Sequence, residues 1–216
     1  MSVSKRIALD GSQLQPGKKK RLLSAMMTPV GCSLSPAKRI AIDGMLAAVY
    51  FALSFLTFYI GPNALKITFV SLAFMVAALL FGPLDAMAVA LVGEFLYQLI
   101  IYGLTITTPI WLIPPVIFAL RLGVFAILMG TKEKPLVTRP VACAIACMDC
   151  GFVNSIFNTA ALYVDSKIWG YYEFKLIFTL GLYRIVIAIV VAAALCALVV
   201  PIVKALRKRI PALAAK

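Results

Sequence analysis

The chain has 216 residues, of which 63% are hydrophobic and only 13% charged, with a formal net charge of +13. That leaves too little polar surface to cover a globule in water, so lipid is the expected main solvent and the class is an integral, all-α membrane protein. Histidine is absent, which removes the usual general base and the commonest metal ligand; no G-x-x-x-x-G-K-[ST] loop occurs, so no Walker-type ATP site is expected, and neither a metal nor a cofactor is expected.

Residues 1–40 read as a basic cytoplasmic tail without packed structure. "KKKR" at Lys18–Arg21 suits anionic lipid beside a membrane rather than nucleic acid. No apolar stretch followed by a cleavage site is seen there, so a secretory signal is not expected. Residues 41–206 form the expected membrane domain, and 207–216 a second basic tail.

A spanning helix needs ~20 mostly apolar residues, and six spans are expected. The first covers 43–60 and carries Gly44, Ala48 and Ala52. At i, i+4 and i+8 these share one face, which is nearly free of side chains and allows close helix approach. The second and third lie within 66–103, divided at Gly82-Pro83, because one helix over that stretch would run about 57 Å. The third brings Glu94, Tyr97 and Gln98, and Trp111 follows in a threonine-rich connection. The fourth runs from Pro114-Pro115 to Gly130 and holds Arg121. The fifth, 140–163, holds Asp149, then Asn154, Asn158 and Thr159; its Cys143, Cys147 and Cys150 read as small packing residues rather than a redox or metal motif. Trp169, Tyr171 and Tyr172 follow. The sixth span, 175–205, holds Arg184 and a second small stripe, Ala188, Ala192 and Cys196.

Lysine and arginine concentrate in the two tails and in 131–139. Basic residues favour the cytoplasmic side, so both ends are placed inside, which requires an even number of spans. On that topology Glu94 and Arg184 both lie ~14 Å below the outer surface at about 1.5 Å per residue. Arg121 and Asp149 share a level nearer the inside. Charges at such depth face an interior or a cavity, so two opposite-charge pairs are expected. For Arg121 and Asp149 a structural pair and a substrate contact are both open. For Glu94 and Arg184 a ligand role is favoured, because Tyr97, Gln98, Trp111, Asn154, Asn158 and Thr159 gather near them under an aromatic rim.

Four stretches resemble a known family: "GMLAAVYFA", "LKITFVSLAFMVAALLFGPLDAMAVALVGEF", "ALRLGVFAIL" and "FVNSIFNTAALYV" followed by "LYRIVIAIV". In order and spacing they resemble the substrate-binding S components of energy-coupling factor (ECF) vitamin importers, the folate type above all. The resemblance implies six spans in a bacterial plasma membrane and a vitamin bound near the outer face. It also implies no ATPase of its own, and work with a transmembrane T component and two ABC-type ATPases. By the same resemblance the Gly44/Ala48/Ala52 face receives the T component. "TITTPIWLIPP" departs from the Gly-rich connection usual in the folate type. An S component for another nutrient (pantothenate, a queuosine precursor or another vitamin) is therefore the first alternative. A membrane enzyme using Glu94 or Asp149 as acid or base is the second, and it lacks a nucleophile–base pair.

Overall fold

The structure is a computed structural model and describes residues 34–60, 65–130 and 135–209; the expected tail up to residue 33 and the end from 210 lie outside them. Six α-helices and one short β-hairpin make up the described chain.

Helix α1, Pro36–Ser54, opens with proline in its first turn, where the missing N–H would have had no helical partner anyway. It therefore begins inside the stretch expected to be tail. Its buried side is Ala47, Tyr50 and Ser54, the 3–4 spacing of one helix face. At its end Thr57 Oγ1 donates to the Ser54 carbonyl at 2.9 Å.

The first span was expected to stay helical to residue 60. Instead Thr57–Ile60 forms β1, paired antiparallel with β2, Leu65–Thr68, with Thr57 opposite Thr68. Threonine and aromatic residues favour an extended, half-buried strand over a helix interior. Helix α2, Ser71–Leu80, is only ten residues long, and every residue from Ala73 to Leu80 is buried. A helix apolar all round belongs at the centre of a bundle, and at about 15 Å it is too short to cross a bilayer alone. Arg207, from the far end of the chain, donates to the Leu79 carbonyl at 2.8 Å, so one of α2's terminal carbonyls is partnered.

Gly82, at φ 109°, turns the chain into α3, Pro83–Ile101; an L side chain rarely adopts that backbone angle. Helix α4, Thr108–Met129, starts six residues before the expected Pro114 and carries Pro114 and Pro115 within it. Helix α5, Pro140–Trp169, ends on Gly170 in the left-handed region. A π-turn, Lys175–Thr179, leads into α6, Leu180–Arg209.

Among the described residues, four segments are long and apolar enough to cross a membrane: α3, α4, α5 and Ile177–Arg209. Large apolar side chains such as Val92, Ile145, Phe152, Val186 and Val190 are exposed on them, as expected of faces bathed in lipid. Inside the bundle Tyr50, Phe74, Phe118 and Leu122 form a continuous core with α2. Helices α5 and α6 pack tightly at Gly151. A Cβ there would lie 2.8 Å from both the Ala188 carbonyl oxygen and Ala192 Cβ.

Candidate functional site

All six helices contribute to one large cavity of about 710 Å³. It lies toward the end of the bundle that carries the hairpin and the α3–α4 and α5–α6 connections. Gly151, Ala188, Ala192 and Leu195 line its deep side, and Trp111, Thr107 and Trp169 line its rim.

The two carboxylates in the wall are already engaged. Glu94, on α3, accepts from Tyr50 Oη at 2.6 Å and from Gln98 Nε2 at 2.7 Å. Tyr50 reaches it from α1 because residue 93 is glycine: a Cβ there would sit 2.5 Å from the tyrosine ring. Asp165, near the end of α5, accepts from Trp111 Nε1 at 3.3 Å and from the Tyr171 hydroxyl. That contact and burial, the larger effect, hold the Tyr171 phenol above its ordinary value. Trp169 Nε1 donates to Thr107 Oγ1 at 3.5 Å. The rim is thus tied across α4, α5 and the α5–α6 connection.

Arg184 differs. It lines the cavity, is partly buried, and has no hydrogen bond or ion pair among the described residues. The expected Glu94–Arg184 pair is not formed; the Glu94 oxygens accept from Tyr50 and Gln98 instead. Asn154 Oδ1 and Ser155 Oγ are also buried without partners. Polar atoms in such a position cost free energy until something satisfies them, and both residues line this cavity. A guanidinium without a partner among the described residues, two orphaned oxygens and seven aromatic side chains give this cavity a wall that suits a polar small molecule.

A family model, that of the ECF transporter substrate-specific component, matches residues 38–204. The chain belongs to the substrate-specific components of ECF transporters. A solved chain described as "Structure and mechanism of the S component of a bacterial ECF transporter" is similar in fold, with a TM-score of 0.51 at 20% identity, over 81% of this chain and 96% of that one. A comparison with curated proteins gave no significant match.

In this S component Glu94, Tyr97, Gln98, Trp111, Asn154, Asn158 and Arg184 all line the cavity. Thr159 does not: its hydroxyl donates to the Ser155 carbonyl of its own helix at 2.9 Å. Arg121 and Asp149 form an ion pair away from the cavity lining, with 38% and 39% of their side chains exposed. Gly44, Ala48 and Ala52 are all exposed on α1, whereas Ala192 and Cys196 of the second small stripe are buried. Sequence reading missed Tyr50, whose partner glycine sits mid-helix beside Glu94, and Asp165, which lies just beyond the expected end of span five. It also missed the Arg39–Asp85 ion pair joining α1 to the first turn of α3.

Proposed function

We propose that this S component binds folate or a related pterin-like vitamin with high affinity and delivers it to an ECF importer in a bacterial plasma membrane. The observation that carries the reading is Arg184, a partly buried cation facing the cavity with no protein partner among the described residues. Its planar fork suits a carboxylate. The cavity volume of about 710 Å³ suits a ligand of vitamin size. Trp111, Trp169 and Tyr97 supply flat apolar surface for a ring, and Gln98, Asn154 and Asn158 supply amide donors and acceptors for ring heteroatoms. Glu94 acts with Gln98 and Tyr50 to fix that wall. Another carboxylate-bearing nutrient such as pantothenate would also satisfy Arg184, whereas a cationic one would not. The enzyme alternative has less support, because each cavity carboxylate already holds two donors.

Six crossings with both termini cytoplasmic are part of the same reading. Helix α1 is about 28 Å long. Strand β2 adds about 13 Å of extended chain to the ~15 Å of α2, close to the ~30 Å of a hydrocarbon core. The exposed Gly44/Ala48/Ala52 face is the docking surface for the T component, and two ABC ATPases supply the energy this chain has no Walker loop to harvest. Arg121 and Asp149 are a structural pair.

The test is a panel of vitamins scored by thermal stabilisation of the purified protein. A ligand at a hundredfold excess over its Kd should raise stability by about 2.7 kcal/mol. Stabilisation by folate or pterins supports the reading, stabilisation by pantothenate alone moves it to the second nutrient, and no stabilisation by any vitamin rejects it.

A further inference from the structure

Cys143 and Cys147 stand one turn apart on α5, and Cys196 meets them from α6. All three are free thiols with 3% relative exposure or less. Their sulfur atoms lie within 4.8 Å of one another, with Cys143 and Cys196 3.6 Å apart. The sequence motif misdirects here: Cys150, the second cysteine of "CMDC", is not a member of the trio. Around it the core is apolar, with Ala146, Leu195 and Val199 all buried. Gly151 and Ala192, on the deep side of the cavity, lie one turn further along the same two helices.

An atom with bonds to sulfur of about 2.3 Å holds its sulfurs at most ~4.6 Å apart, and then only if it is linear. The 3.6 Å pair is too close for a linear bridge and suits a bent, three-fold centre. Charge decides the element. Zinc in a structural site takes four ligands, and with three thiolates it would leave a net negative charge; copper(I) with three thiolates would leave a larger one. An unpaired charge in an apolar core is strongly disfavoured. Trivalent arsenic avoids this. As(OH)₃ and three thiols give As(SR)₃ and three waters. Three As–O bonds break and three As–S bonds form, and each thiol proton leaves on a hydroxyl. Arsenic and sulfur keep their oxidation states, and both sides of the reaction are neutral. We propose that Cys143, Cys147 and Cys196 form a trithiolate site for trivalent arsenic, which staples α5 to α6 beneath the ligand cavity.

The full chain, purified in detergent and kept reduced with a phosphine, is titrated with sodium arsenite. The site should take one arsenic per chain and protect Cys143, Cys147 and Cys196 from alkylation, leaving Cys32 and Cys150 reactive once the protein is denatured. X-ray absorption should show three sulfur neighbours. Cys150→Ala should bind normally, and Cys143→Ala, Cys147→Ala and Cys196→Ala should each lose at least tenfold in affinity. Because alanine in this core could loosen the helices, the melting temperature of each variant is measured, and phenylarsine oxide, which uses two thiols, is added. Retained phenylarsine oxide binding by a variant that has lost arsenite shows that the remaining pair is still in place. No stoichiometric arsenic on the natural chain, fewer than three protected thiols, or loss of both probes only in Cys150→Ala would overturn the proposal.

Discussion

Arg184 and Tyr171 are polar side chains at opposite extremes of satisfaction. Arg184 has a cavity to face and no partner among the described residues, so its removal relieves the free protein of a poorly solvated charge while depriving a ligand of a charge-assisted contact. Arg184→Ala should lose ~1.5–3 kcal/mol of ligand affinity, tenfold or more, with no fall in thermal stability. Titration calorimetry with the stabilising vitamin checks the first, and melting of the empty protein the second. Unchanged affinity would remove Arg184 from the site. Tyr171 is already spoken for, donating to Asp165. Its folded-state value is raised, so its contribution is fully present below the ordinary tyrosine value of about 10 and is lost as pH rises through the higher folded value. In an ultraviolet titration, Tyr171→Phe should remove one tyrosine from the late-ionising part of the curve and leave the earlier part unchanged. Had the phenol been an unattached part of the rim, the loss would fall in the ordinary range near about 10 instead.

Two helices carry small-residue stripes with the same four-residue spacing, and the packing separates them. On α6, Ala192 and Cys196 are buried, and Gly151 of α5 fits against Ala188 and Ala192. That stripe is internal, so Gly151→Ala should force α5 from α6 and cost about 1–3 kcal/mol, read as a lower melting temperature with weaker ligand binding. On α1, the Gly44/Ala48/Ala52 face is exposed, and a Cβ on Gly44 would meet nothing within 4 Å. Leucine is a good helix former and at home in lipid. Ala48→Leu and Ala52→Leu should therefore leave melting and ligand binding intact while weakening co-purification of the T component and lowering cellular uptake. Normal assembly in both variants would show that the α1 face is not where the partner docks.

For the whole molecule, a binding cavity is present and no Walker loop occurs in the sequence. The isolated protein in liposomes should bind ligand yet fail to accumulate it against a gradient. Adding the T component and ATPases with ATP should restore uptake, followed with radiolabelled vitamin. Uphill accumulation by the lone chain would contradict the proposed division of labour.

Composition alone determined that lipid is the solvent, because 63% apolar residues cannot be hidden inside a chain of this length. The Gly82-Pro83 break was legible too, since one helix over 66–103 would run about 57 Å, too long for a bilayer; the structure makes the turn at Gly82 with a positive φ. The grouping of Glu94, Gln98, Asn154, Asn158 and Arg184 around one space followed from counting turns inward from the span ends. Partner choice did not follow. Depth along a helix gives a level but no direction around the axis, so Glu94 and Arg184 could share a level and still not pair. Tyr50, on a third helix, was passed through the gap at Gly93 to take the carboxylate. The pairing of Thr57–Ile60 with Leu65–Thr68 and the burial of α2 from Ala73 to Leu80 were likewise tertiary decisions. An apolar run reads the same whether it faces lipid or core, and only the surrounding helices distinguish the two.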